Sequence, residues 1–121
     1  VATIDLTAAN FENIVTTNDI VLIDFWASWC GPCKMFAPVF EKASEKYPNI
    51  VFGKVDTEKE QQLAAHFQIR SIPTLMIFRE QIIIYSQAGA LPAAALDEII
   101  AKASELDMDD VRAEIAKQQA E

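Results

Sequence analysis

Cys30 and Cys33 are the two cysteines of the 121-residue chain, and they stand three residues apart in Trp29-Cys30-Gly31-Pro32-Cys33-Lys34. The pair follows an apolar run, Ile20 to Trp26, and precedes a helical pattern, which is the setting of a redox-active Cys-x-x-Cys. A helix N-terminus offers free N–H groups and a partial positive charge, and both favour a thiolate over a thiol. The thiolate is the nucleophile of disulfide exchange, so a sulfur at that position is ready to attack near neutral pH. Cys30 is placed to attack, and Cys33, one helical turn on, to resolve the mixed disulfide that results. Pro32 suits the first helical turn, where a missing N–H costs nothing. The competing use of such a pair is zinc, which needs about four ligands. His66 is the one soft candidate left in the chain, and it lacks a cysteine or acid at ligand spacing.

Asp24 is the second residue that could do chemistry. It is the lone carboxylate in Ile20-Val21-Leu22-Ile23-Asp24-Phe25-Trp26, a run that reads as a strand buried on both faces. Burial removes solvation from the charged form and lifts a carboxyl pKa toward neutrality. A group so tuned, just upstream of the thiols, can accept the proton of Cys33 when that thiol must attack. The alternative is a structural carboxylate satisfied by backbone N–H groups. Lys54, on the next strand, reads by itself as a strand-end surface lysine. Met35 and Met76 read as packing residues.

These residues need a scaffold. Thr3 to Leu6 is short and β-prone, and Thr7 is a plausible N-cap for a helix through about Val15. Thr16-Thr17-Asn18-Asp19 is a turn cluster. After the cysteines, Phe36, Val39, Phe40, Ala43 and Tyr47 form one helical stripe, with a kink expected at Pro38. Pro48-Asn49 stops that helix, and Ile50 to Val55 forms the next strand. A strand, helix and strand so spaced imply a right-handed crossover and parallel pairing. Glu58 to Phe67 reads as a polar helix with Leu63 and Phe67 inward. Thr74 to Phe78 and Ile82 to Tyr85 read as a hairpin linked by Arg79-Glu80-Gln81. Pro73 merely opens the first of these strands, where proline is tolerated. Gly89 suits a turn of positive φ. Leu96, Ile99, Ile100 and Ala103 mark a helix against the sheet. The class is therefore a mixed α/β sheet in one domain.

The totals narrow the partners. A formal net charge of -8 argues against nucleic acid and anionic membrane surfaces, which call for clustered Lys and Arg. No apolar run approaches ~20 residues, so no membrane span is expected. No basic and apolar leader is visible at the N-terminus, although the chain does not open on Met. Two cysteines in redox spacing fit a reducing compartment, and a cytoplasmic location is expected. From Ser104 to Glu121 the acids outnumber the bases six to two. Asp107 with Asp110 reads as a helix start, and Met108, Val111 and Ile115 share a face. An additional short helix over 106–121 is expected beside the main domain, 1–105, against the alternative of a solvated, partly frayed tail.

Trp29-Cys30-Gly31-Pro32-Cys33-Lys34, preceded by Asp24-Phe25-Trp26-Ala27, resembles the active-site signature of thioredoxins, and the resemblance extends over residues 3 to 105. It implies a thioredoxin-like fold, a central mixed β-sheet with helices on both faces. It implies that Asp24 is the family's buried acid and Lys54 the lysine beside it. Arg70-Ser71-Ile72-Pro73-Thr74 resembles the segment whose proline follows a cis bond beside the cysteines. By that resemblance the backbone of Ile72 pairs with an extended client segment. Trp29, Gly31, Pro32, Ile72, Pro73 and Gly89, in Ala88-Gly89-Ala90, then form a mostly uncharged collar round Cys30.

The activity implied is reduction of protein disulfides, with an NADPH-dependent flavin reductase restoring the dithiol. No cofactor or metal bound to the chain itself is implied, and a monomer is expected. Oxidase or isomerase activity is the rival within enzymes, and Gly31-Pro32 between the cysteines speaks against it. A binding module using the fold and its extra helix is the rival outside enzymes. The family's hairpin usually carries glycine where this chain has Arg79-Glu80-Gln81, which leaves the turn type open.

Overall fold

The computed structural model describes residues 2–120. Val1 and Glu121, the last of the tail's acids, lie outside the described residues. In chain order the elements are β1 (Thr3–Asp5), α1 (Phe11–Thr17), β2 (Ile20–Trp26), α2 (Gly31–Lys46), β3 (Val51–Asp56), α3 (Gln61–His66), β4 (Thr74–Arg79), β5 (Ile82–Ala88), α4 (Ala93–Glu105) and α5 (Met108–Ala120). The strands form one sheet in the order β1-β3-β2-β4-β5. β1, β3 and β2 pair in parallel, and β4 and β5 join antiparallel. This is the expected α/β thioredoxin-like arrangement, with the extra C-terminal helix.

β2 is the middle strand, which explains its unbroken apolar run. Leu22 points into a core with Phe36 and Phe40 of α2, Phe52 of β3, and Leu96 and Ile100 of α4. Val21, Ile23 and Phe25 point the other way, into a core with Leu6, Val15, Val55, Met76 and Phe78. Side chains alternate across a strand, so Asp24 and Trp26 share the α2 face with Leu22. Among the described residues no helix is long and apolar enough to cross a membrane.

Several local expectations are corrected. Thr7 does not cap α1; the helix opens on Phe11 with Asn10 at the N-cap position. Thr7 instead begins a turn, its N–H donating to Asn10 Oδ1 at 2.7 Å. The third helix starts at Gln61 rather than Glu58, because Asp56 Oδ1 accepts the Glu58 N–H at 2.9 Å and holds a turn there. Arg79 belongs to β4, so the hairpin link is Glu80-Gln81 alone. Their φ values of 50° and 70° put both in the left-handed region, as a two-residue type I′ turn requires. Met35 does not pack; it is among the exposed large hydrophobics, whereas Met76 is buried. Pro38 lies inside α2, as the stripe places it.

The extra helix is tied down by specific contacts. Asp107 Oδ1 accepts the N–H groups of Asp109 at 2.9 Å and Asp110 at 3.3 Å, satisfying two free donors of the first turn. Met108 is buried, and Val111 and Ile115 are half-buried. Arg79 Nη1 donates to the carbonyls of Ala103 (2.8 Å), Ser104 (3.3 Å) and Leu106 (2.8 Å), closing the end of α4 and the link to α5. Arg112 of α5 reaches back to Glu80 Oε1 in the hairpin turn at 2.6 Å. Arg79 pairs with Ile20 at the start of β2, and the cysteines follow the other end of that strand. The extension therefore sits at the end of the sheet away from the disulfide.

Two outcomes follow. Gly53→Ala would place a Cβ 2.7 Å from Leu6 Cγ, and Leu6 is itself buried. Urea unfolding should show a loss of about 1–3 kcal/mol for this overpacking. Arg79→Met should release α5, seen as lost helical circular dichroism and proteolysis near residue 106, while the dithiol keeps its exchange rate.

Candidate active site

The site is built where β2 ends and α2 begins. Cys30 is the N-cap residue of α2, with Pro32 in the first turn. Cys30 and Cys33 are joined as a disulfide. The N–H of Cys33 donates to Cys30 Sγ at 3.2 Å. The start of the helix thus directs a backbone dipole at the Cys30 sulfur, the arrangement that stabilises a thiolate once the bond is reduced. Both cysteines pack with Ala27, Trp26 and Ile72, and both are more than nine-tenths buried.

The collar residues gather on the outer side of this cluster. The Ile72-Pro73 bond is cis, and Ile72 O lies 3.7 Å from Cys30 Sγ. Gly89, at φ +116°, donates its N–H to Pro73 O at 2.8 Å, which holds the end of β5 against the same segment. Trp29 is 68% exposed beside the disulfide, and Gly31 and Pro32 are also exposed. Cys30, Ile72, Pro73 and Gly89 are thereby brought together from three separate parts of the chain. His66 sits apart at the end of α3, exposed, its ring edge-on to Phe67.

Asp24 and Lys54 lie inward of the cysteines. They are register partners across β2 and β3, and share a face of the sheet. Asp24 is fully buried, and neither of its carboxyl oxygens meets a hydrogen-bond partner among the described residues. The alternative of a carboxylate satisfied by backbone N–H groups is therefore not what the structure contains. Burial pushes its pKa up to about 7, opposed by the Lys54 ammonium and assisted by the Glu41 carboxylate. Lys54 is no strand-end surface residue: its side chain is 14% exposed, with Nζ 5.0 Å from the centre of the Trp26 ring. A cleft of about 260 Å³ opens here, lined by Trp26, Ala27, Ser28, Cys33, Lys34, Ala37 and Lys54. Of the two cysteines, Cys33 is the one among its lining residues.

Glu41 was not singled out by the sequence, although it ion-pairs with Lys54 at 3.8 Å. The signal was available in its spacing, because Cys33, Ala37 and Glu41 recur every four residues along one ridge of α2.

Comparison with known proteins gives one answer. The thioredoxin family model matches residues 2–102. A Streptomyces coelicolor protein whose name places it among thioredoxins is 59% identical over 120 residues, covering 99% of this chain and 90% of its own length. Yeast thioredoxin-1 is 39% identical, over 80% of this chain and 94% of its own. Among solved structures, a Halobacterium salinarum thioredoxin variant superposes with a TM-score of 0.79 at 31% identity, covering 87% of this chain and 92% of that one. Plasmodium falciparum thioredoxin gives 0.76 at 35% identity, over 83% and 97%.

The raised pKa of Asp24 makes stability depend on pH. Between the carboxyl's ordinary value of 3.8 and about 7, the folded protein holds a proton that the unfolded chain has lost. Stability then falls as pH rises through that window, by about 4 kcal/mol at most. Asp24→Asn removes the titration. Its unfolding free energy should match wild type near pH 4 and exceed it by a few kcal/mol above pH 8, as checked by urea unfolding across pH.

Proposed function

The chain belongs to the thioredoxin family, and on that premise we propose that it is a thiol–disulfide oxidoreductase whose work is the reduction of protein disulfides. The observation that carries this reading is the Cys30–Cys33 disulfide at the N-terminus of α2, with the Cys33 N–H aimed at Cys30 Sγ. In the reduced protein the Cys30 thiolate attacks one sulfur of a client disulfide. A Cys30–client bond forms, the client's own bond breaks, and the leaving thiolate takes a proton from water. Cys33 then passes its proton to the Asp24 carboxylate and attacks Cys30 Sγ. The Cys30–Cys33 bond forms and the second client thiolate leaves, taking up a proton. The client has gained two electrons and two protons, and the protein is oxidised.

Asp24 suits the accepting role because burial keeps its pKa about 7, within reach of a thiol near 8.5. Lys54 tunes that value as the nearest cation. The collar of Trp29, Gly31, Pro32, Ile72, Pro73 and Gly89 offers clients an uncharged surface and the backbone of Ile72 for strand pairing. A flavin reductase drawing on NADPH returns the dithiol by the reverse exchange, in keeping with the family. Residues 1–105 carry this chemistry as one domain, and 106–121 form an acidic extension that leaves the site open. A reducing compartment such as the cytoplasm suits the activity.

The deciding measurement is the equilibrium potential of the Cys30–Cys33 pair in defined thiol buffers. A value near about -270 mV, below glutathione, is expected of a general reductant. A value at or above glutathione would favour the oxidase or isomerase reading, and a pair that does not cycle would favour a binding module. Cys33→Ser should accumulate a mixed disulfide on Cys30, and Cys30→Ser should lose all turnover. Asp24→Asn should slow the resolving step about a hundred-fold near pH 7 in stopped-flow assays.

A further inference from the structure

Asp24 has a cation for a neighbour and yet makes no bond to it. Lys54 is its register partner, one strand away on the same face, and a lysine so placed could swing onto the carboxylate and neutralise it. Among the described residues neither oxygen of Asp24 receives such a contact. The ammonium is held elsewhere by two groups. Its Nζ lies 3.8 Å from Glu41 Oε1 and 5.0 Å from the centre of the Trp26 ring, the second a cation–π contact.

The placement of Glu41 explains how it can compete. Cys33, Ala37 and Glu41 lie along one ridge of α2, and the first two line the cleft that Lys54 also borders. Glu41 is the next position on that ridge, so its carboxylate takes the ammonium at the end of the cleft away from the sulfur. It is the more solvated of the two acids, with its side chain 36% exposed against full burial for Asp24.

We propose that Glu41 is a positioning residue of the dithiol site: it draws the Lys54 ammonium toward itself, keeps it from closing on Asp24, and so leaves that carboxyl free to take the Cys33 proton. The inference rests on the acceptor role proposed for Asp24. An acceptor locked in a salt bridge would be a weaker base, because an opposite charge in contact stabilises its ionised form. Among the described residues the other elements packed on this face bring apolar groups. β4 contributes Leu75 as the neighbour of Asp24, and α4 brings Leu96 and Ile100 to this face. The remaining charged groups near the cleft are Lys34, which lines it, and Asp56, beside Trp26 at the end of β3.

The test is the titration midpoint of Asp24, followed by the NMR shift of its carboxyl carbon in the reduced protein. It is measured for wild type, Glu41→Gln, Lys54→Met and the double variant. Glu41→Gln frees the ammonium to approach Asp24, and the midpoint should fall by about one pH unit. In the Lys54→Met background the same change should move it much less, because only the direct repulsion between the two acids is then removed. The pH profile of the resolving step should follow the midpoint. An unchanged midpoint in Glu41→Gln, or an equal shift with and without Lys54, would overturn the proposal. Failure of the acceptor role is separable, since it would appear as an Asp24→Asn variant whose resolving step keeps the wild-type pH profile.

Discussion

A carboxyl group in the middle of the central strand, without a hydrogen-bond partner among the described residues, is the constraint around which this structure is arranged. Burying such a group destabilises the fold, and in its charged form by several kcal/mol. The rest of β2 offsets that cost: Val21, Leu22, Ile23 and Phe25 are each fully shielded from solvent, between cores on both faces of the sheet. A strand covered on both sides can hold an unsatisfied acid in place, where an edge strand would let water in. The same burial sets the acid's chemistry, because desolvation is the largest cause of its raised pKa. Stability and the acceptor role proposed for Asp24 therefore pull in opposite directions.

Much of this was legible in the sequence because it is local. The Cys-x-x-Cys pair, the apolar run with one acid, and the helical stripe of Phe36, Val39, Phe40, Ala43 and Tyr47 each follow from backbone period and residue type. The additional helix was legible for the same reason, since Asp107 and the Met108, Val111 and Ile115 face are short-range signals. What escaped depends on contacts between distant segments. Asn10 displaced Thr7 at the start of α1 because the Asn10 side chain also reaches back to Asp5 O. Met35, one residue before Phe36, lies about 100° from the centre of the apolar stripe of α2, and that is where the structure exposes it. The spacing of Glu41 places it on the ridge of Cys33 and Ala37, but its ion pair with Lys54 joins that ridge to a strand 13 residues on, which the spacing alone does not reveal.

The two ends of the sheet are also divided in what they can do. The end of β2 that leads to the cysteines carries the cleft, the disulfide and an uncharged collar. The other end carries Asp19, Arg79, Glu80 and Arg112 in a polar network that binds the hairpin turn to α5. Arg79 is central to it, closing carbonyls that α4 would otherwise leave open at its C-terminus. Helices as short as α5 are marginal alone, so these contacts are what keep it folded on the domain. An acidic helix anchored at that end adds charge without crowding the site.

Exposure alone does not choose between the two sulfurs, because Cys30 and Cys33 are almost equally buried. Direction does. The Cys33 N–H points at Cys30 Sγ, whereas Cys33 lies within the helix, where its own sulfur is past the free N–H groups of the first turn. Ile72 O and the exposed Trp29 both border Cys30, and the cleft beside Lys54 borders Cys33. In the proposed reaction a client on the collar would meet Cys30 first, while Cys33 borders the cleft beside Lys54. That difference in surroundings is what supports proposing Cys30 for the attack and Cys33 for the resolution. The acid proposed to assist Cys33 lies on β2, fully buried and away from the exposed collar residues.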